Sequence, residues 1–134
     1  MERVDSSLSD AVLRVIAKYP EIRLVIVFGS LAEGAGRRDS DVDVAVGASR
    51  PLTADQKLSL TGDLAEATGR PVDVIDLRTA GEPLLGQILS GGRRIAGSDE
   101  EYAALITRHL IDSADFLPYR DRILAERRRA WIGK

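Results

Sequence analysis

The chain has no cysteine, and it has no apolar run that approaches the length of a membrane span. Without cysteine, disulfides and thiolate metal sites are excluded, and nothing argues for secretion. A bilayer crossing needs roughly 20 consecutive apolar residues, so we expect no association with membranes. The polar N-terminus is not typical of a signal peptide. These absences favour a cytoplasmic protein, and a length of 134 residues predicts a single domain.

Neither sign of charge dominates, because the formal net charge is only −2. A nearly neutral chain gives no general case for nucleic acid as a partner, and we expect no direct nucleic-acid binding. Residues 120–134 differ from the rest, with six basic and two acidic side chains. This segment is either a solvated helix face or a docking surface for an acidic partner or RNA.

The stretch from Leu24 to Val46 carries the strongest signals in the chain. It opens with an unbroken apolar run, Leu24–Phe28, and turns at Gly29-Ser30. After a loop of ten residues, the alternating run DVDVAV begins at Asp41. Side chains alternate between the two faces of a strand, so the three valines share one face while Asp41 and Asp43 share the other.

Two neighbouring carboxylates repel each other unless a positive charge lies between them. A hard divalent cation with oxygen ligands, such as Mg²⁺, satisfies that requirement. The alternative is a solvated edge strand whose outer face carries two acids. The Gly29-Ser30 turn favours the cation, because backbone N–H groups at such a turn can line a phosphate-binding site. A phosphate site beside a metal site suits phosphoryl or nucleotidyl transfer.

Hydrophobic periodicity and capping signals predict the helices and strands along the chain. The predicted elements are a helix over 7–18, a central strand Arg23–Phe28, a strand from Asp41, a helix from the Thr53 cap to Thr68 with Gly69 as its stop, a strand Val72–Leu77, a short helix Pro83–Leu89, an extended segment Arg93–Ala96 and a long helix capped by Ser98 or Asp99. The expected fold is α/β: a small mixed sheet with helices on one face and the acids on the other. His109, on the apolar stripe of the long helix, is expected to be packed rather than to act as a metal ligand or base.

The third predicted strand offers a third acid for metal-dependent nucleotidyl transfer. Asp73 and Asp76 have opposite parity, so they cannot share a face of the strand. Asp76 stands near the strand's end, where a turn or cap role is natural, and either residue remains a candidate at this point. In the preceding loop, Arg38 is a candidate for contacting a triphosphate, although two solvated loop arginines are an equal alternative. Ser40 is locally typical of a residue that turns the chain into the strand.

Gly-Ser, ten residues and then Asp-x-Asp resemble the signature of the polymerase-beta-like nucleotidyltransferases, at Gly29, Ser30, Asp41 and Asp43. The resemblance implies the palm fold of that superfamily over residues 1–98, with 99–134 as a C-terminal helical extension of the same domain. It implies Mg²⁺, two ions in the active complex, and ATP as substrate. The family pattern places the third acid early in the third strand, which favours Asp73 over Asp76. The resemblance thus implies catalytic and metal-binding roles for Asp41, Asp43 and Asp73. The implied nucleotide-binding and phosphate-binding residues are Gly29, Ser30, Arg38 and Ser40.

The shortness of the chain points to the minimal branch of the superfamily, the MNT proteins that act as antitoxins to HEPN toxins. That resemblance implies transfer of AMP to a hydroxyl group of a HEPN ribonuclease toxin, with tyrosine as the expected acceptor residue. Two other functions remain open at this stage. One is an antitoxin that neutralises its toxin by binding alone, and the other is a free-standing nucleotidyltransferase for a small molecule or RNA.

Overall fold

A computed structural model describes residues 6–29 and 41–114. The helices and strands follow one another in the order that the sequence predicts. They are α1 (Ser6–Ile16), β1 (Ile22–Phe28), β2 (Val42–Ala48), α2 (Ala54–Thr68), β3 (Val72–Asp76), α3 (Leu84–Gly91), β4 (Arg93–Ala96) and a helix over 99–114, here α4. None of the helices within these residues combines the length and the apolar composition that a bilayer crossing requires.

The four strands form one mixed sheet in the order β3-β2-β1-β4. β1 is antiparallel to both of its neighbours, β2 and β4, whereas β2 and β3 run parallel. A parallel pair needs a crossover, and α2 supplies it between β2 and β3. β1 is apolar on both faces and occupies an interior position, as expected for a strand covered on both sides.

Helices α1 and α2 cover one face of the sheet. The valines of β1 and β2 point to this face and pack with apolar side chains of both helices; among the fully buried members are Val12, Val25, Val44, Leu60 and Leu64. The ends of α2 are set by local chemistry. Thr53 and Gln56 form a reciprocal capping box at its start, and Gly69 ends it in the left-handed conformation.

The second face carries the acids, and it also carries helices. Leu24, Ile26 and Ala45 of the sheet pack there against Leu85 and Ile88 of α3 and Leu105 of α4. The mixed α/β sheet is thus confirmed, but helices cover both faces and only part of the second face is left to the acids. The physical reason is that β1 and β2 present apolar side chains on this face as well, and these need cover.

Candidate active site

Two of the three predicted acids lie side by side on neighbouring strands. Asp43 of β2 pairs in register with Asp73 of the parallel strand β3. The two strands are joined where their pairing begins by a hydrogen bond of 2.8 Å, which the Val42 N–H donates to the Pro71 carbonyl. Residues directly opposite each other project to the same face of a sheet, so the two carboxylates share the acid-bearing face. Asp41 is exposed and lies immediately before β2.

Gly29 brings the end of β1 against the Asp43 carboxylate. Its φ of +83° lies in the left-handed region, where glycine is favoured. A Cβ at this position would collide with Oδ2 of Asp43 and stand 3.3 Å from its Cγ. Only a residue without a side chain leaves the carboxylate where it is. Glycine is therefore required here both by the backbone and by the acid that it touches.

The electrostatics of the site centre on Asp43, which is half-buried. Burial raises the pKa of the Asp43 carboxyl, and the negative charges of Asp73 and Asp41 raise this pKa further. Both causes disfavour the ionised form, so the site is unfavourable to its own negative charge. A cation at this position would relieve the repulsion that the three acids exert on one another.

Asp76 occupies the opposite face of β3 and has a structural role. Only 9% of it is exposed. Its Oδ2 accepts a hydrogen bond from the Leu52 N–H at 2.8 Å, and its Oδ1 accepts one from the Arg78 N–H at 2.9 Å. These contacts hold the start of α2 and the turn after β3. Asp76 is therefore engaged away from Asp43, and Asp73 is the acid of β3 that stands beside it.

The donor chemistry of the acid-bearing face fits a hard divalent cation, because carboxylate oxygens are its preferred ligands. Within residues 6–29 and 41–114, no three acidic, histidine or cysteine side chains already lie close enough together to ligate one ion. The convergence of Asp41, Asp43 and Asp73 on one ion stays a prediction.

The other predicted site residues divide into those described and those outside. Ser30, Arg38 and Ser40 lie outside the described residues, as does the basic segment 120–134. His109 is part of the packing between α3 and α4, with Nδ1 2.7 Å from Oε2 of the buried Glu82. One neighbour of the site was not singled out from the sequence. Phe28 lies directly opposite Asp43 on β1, and its position as the last apolar residue before Gly29 is the signal that would have found it.

The chain matches the sequence profile of the family "Polymerase beta, Nucleotidyltransferase" over residues 11–101. This match covers the four described strands and the three acids Asp41, Asp43 and Asp73, and it extends over most of the chain. The chain belongs to the polymerase beta nucleotidyltransferase family. Among curated proteins it is similar to the protein adenylyltransferase MntA of Shewanella oneidensis, with 34% identity over 82 residues. The aligned part spans 61% of this chain and 59% of that relative, which is less than two thirds of the relative's length.

Solved structures share the fold. A chain in the crystal structure of a toxin–antitoxin with AMP-PNP superposes with a TM-score of 0.81 at 25% identity, covering 88% of this chain and 96% of that one. A chain of the tri-AMPylated Shewanella oneidensis HEPN toxin in complex with MNT antitoxin gives a TM-score of 0.75 at 22% identity, over 89% of this chain and 94% of that one. The second likeness is one of fold alone.

Proposed function

We propose that this chain is an antitoxin-type protein adenylyltransferase. It transfers AMP from Mg-ATP to a hydroxyl group of a HEPN ribonuclease toxin, and we expect this group to be that of a tyrosine. Membership of the nucleotidyltransferase family supports the reaction class. The name of the 34% identical relative, a protein adenylyltransferase, supports a protein as the acceptor. The AMP-PNP in the toxin–antitoxin structure at 25% identity supports ATP as the donor and a toxin as the partner.

The observation that carries this proposal is the pair Asp43–Asp73 beside the Gly29 turn. The two acids are in register on neighbouring parallel strands, and the glycine contacts the first of them. Burial and the two neighbouring acids raise the pKa of Asp43, which is the electrostatic state expected of carboxylates assembled for a cation. A solvated edge strand would need neither the close approach of Gly29 nor a second acid in register.

The reaction follows from these positions. Asp41 and Asp43, with Asp73 completing the ligand set, would hold two Mg²⁺ ions. Bound there, the ions would neutralise the charge on the triphosphate and stabilise the leaving group. Asp73 orients the acceptor hydroxyl and accepts its proton. The acceptor oxygen forms a bond to the α-phosphorus, the bond from this phosphorus to the bridging oxygen breaks, and pyrophosphate leaves with the electron pair.

We assign the phosphates of ATP to the turn that follows β1. The backbone at Gly29 and the hydroxyl of Ser30 would hold the outer phosphates, with Arg38 and Ser40 as the remaining phosphate-binding residues. The approach of Gly29 to Asp43 supports this arrangement, because it places the turn next to the acids. Residues 1–98 would form the catalytic domain and 99–134 its helical extension. The use of ATP is the reason to propose that the chain acts in the cytoplasm.

The test is transfer to a HEPN-family protein from a neighbouring reading frame. The two proteins are incubated with ATP and MgCl₂, and the intact mass of the HEPN protein is measured. We expect its mass to increase by one or more adenylyl groups, with a tyrosine as the modified residue. The Asp43→Asn variant should fold and give no increase, whereas Asp10→Asn, an exposed acid on α1, should behave as wild type.

Two outcomes would contradict the proposal. An unchanged mass of the HEPN protein, with wild-type chain and Mg-ATP in excess, would exclude protein adenylylation of this partner. Protection of cells from the toxin by Asp43→Asn, at the level given by wild type, would show that binding alone neutralises the toxin.

A further inference from the structure

A second concave site lies at the end of the sheet opposite the acids. It is a cavity of about 340 Å³ whose floor includes Leu24, Gly47 and Leu77, with Leu105 of α4 as one wall. Gly47 follows Asp43 by four residues on β2, which places the cavity about 13 Å from that acid along the strand. The apolar side chains of Ile26 and Ala45 lie in the sheet between them. The cavity is therefore separate from the proposed catalytic site.

Three arginines from three separate elements line this cavity. Arg23 comes from β1, at the point where the pairing with β2 shifts register, Arg78 follows β3, and Arg108 comes from α4. Glu101 is the one acidic residue among the lining residues, and its carboxylate lies 3.6 Å from the Arg23 guanidinium. Positive charge is thus in excess around the cavity, although the chain as a whole carries a formal charge of −2.

Arg108 is held in place at the wall of the cavity by a backbone carbonyl and a carboxylate. Its Nη2 donates to the carbonyl of Ala80 at 2.8 Å. Its Nε is buried, forms an ion pair with Asp112 Oδ2 at 3.8 Å, and has no hydrogen-bond partner among the residues that the structure describes. The Nε itself is closed to solvent, but about 33% of the Arg108 side chain stays exposed, so an anion in the cavity can meet the rest of this guanidinium.

Arg78 is exposed at the cavity and is positioned by its backbone. Its N–H donates to Asp76, which fixes the turn from which the side chain leaves. Within residues 6–29 and 41–114, its guanidinium has no hydrogen-bond or ion-pair partner. Guanidinium groups match the geometry of carboxylate and phosphate, and two of them around one cavity favour an anion.

We propose that this cavity binds a small organic anion, one carboxylate or phosphate group carried on a compact apolar body. The apolar floor of Leu24, Leu77 and Leu105 takes the body, and Arg78 and Arg108 take the charge. The volume is at the lower end of the range of small-molecule sites, which are mostly apolar with a few placed polar groups. A peptide or helix would need a longer groove than a cavity of this size provides.

The test uses phenyl phosphate and benzoate as probes, titrated into the full chain with EDTA and without nucleotide. Binding is followed by the backbone amide shifts of the ¹⁵N-labelled protein. We expect saturable binding of at least one probe with a Kd of about 0.1–1 mM, as befits a ligand of about ten heavy atoms. The largest shifts should fall at Gly47 and Arg78, and the relative affinity of the two probes distinguishes a phosphate ligand from a carboxylate ligand.

Matched variants separate charge from shape. Arg78→Gln should weaken binding about tenfold, since it removes a charge-assisted hydrogen bond, while Arg14→Gln on the exposed face of α1 should not. Ala104→Phe places a ring at the cavity from an exposed helix position and should abolish binding. Ala103→Phe, one residue earlier on the same helix and outside the lining, should leave binding unchanged.

Three results would overturn the proposal. The first is no saturation by either probe at about ten times the expected Kd. The second is equal binding of the uncharged analogues phenol and benzamide, which would leave no role for the arginines. The third is loss of probe binding in Asp43→Asn together with unchanged probe binding in Ala104→Phe. This result would show that the probes bind at the proposed catalytic site beside Asp43 and not in the cavity. Failure of adenylyl transfer has no bearing on any of these readouts.

Discussion

Replacing Gly29 by alanine tests how the turn and the acid depend on each other. The substitution has two separate effects in this structure. The backbone at φ +83° becomes strained, because a left-handed conformation costs a residue with a Cβ roughly 1–2 kcal/mol. The new methyl group also occupies the position of Asp43 Oδ2, so the carboxylate must move.

Gly69 provides a matched control for the first effect. It has φ +69° at the end of α2, and a Cβ there would meet nothing within 4 Å. Gly69→Ala should therefore lose about 1–2 kcal/mol of unfolding free energy, which is roughly 4–8 °C in Tm, and keep full adenylyl transfer. Gly29→Ala should lose at least as much stability and also lose transfer by about 100-fold, since a displacement of about 1 Å in a reacting assembly has that effect.

The stabilities of the two variants are compared by thermal unfolding, monitored by circular dichroism. Their activities are compared by the initial rate of AMP transfer to the HEPN protein at saturating Mg-ATP. Equal transfer rates in Gly29→Ala and Gly69→Ala, at equal stability, would refute the reasoning. Such a result would mean that the Asp43 carboxylate tolerates displacement, and that the contact with Gly29 has no part in the chemistry.

The remaining predictions concern the acids and the cap of α2. Since the raised pKa of Asp43 makes its ionised form unfavourable in the folded state, Asp43→Asn should raise the Tm of the metal-free protein at pH 8. This gain should vanish as the pH falls through the folded-state pKa towards about 4; an equal gain at both pH values would contradict the electrostatic cause. Asp76→Ala should lower the free energy of unfolding by about 2 kcal/mol, because it removes the acceptor of two backbone N–H groups. The variant should still bind Mn²⁺. Loss of Mn²⁺ binding in a folded variant would show that Asp76 is a metal ligand. Thr53→Ala should cost about 1 kcal/mol in urea unfolding through loss of the α2 cap, and an unchanged midpoint would contradict that role.

Local signals in the sequence predicted the elements and the parity of the acids. In the structure α2 is capped by Thr53 at its start and by Gly69 at its end, as the sequence indicated, because capping depends on only a few neighbouring residues. The alternation of DVDVAV placed the valines and Asp43 on opposite faces, because the period of a strand is two. The same parity argument separated Asp73 from Asp76.

Features that depend on contacts between distant segments were not predictable in this way. Local patterns did not indicate that α3 and α4 cover part of the acid-bearing face, since this cover arises from contacts of Leu85, Ile88 and Leu105 with β1. The close approach of position 29 to Asp43, which would make any Cβ at this position collide with the carboxylate, depends on the register of β1 against β2. The basic cavity collects arginines from three segments that lie far apart in the chain, so no local motif marks it.

The most direct measurement is a crystal structure of the chain with Mn²⁺ and a non-hydrolysable ATP analogue, with the ion located by its anomalous scattering. If the account is right, the anomalous peaks lie between the carboxylates of Asp41 and Asp43, with Asp73 beside them and the triphosphate at the Gly29 turn. Nucleotide bound with no peak at these carboxylates, or with peaks at other residues, would contradict it.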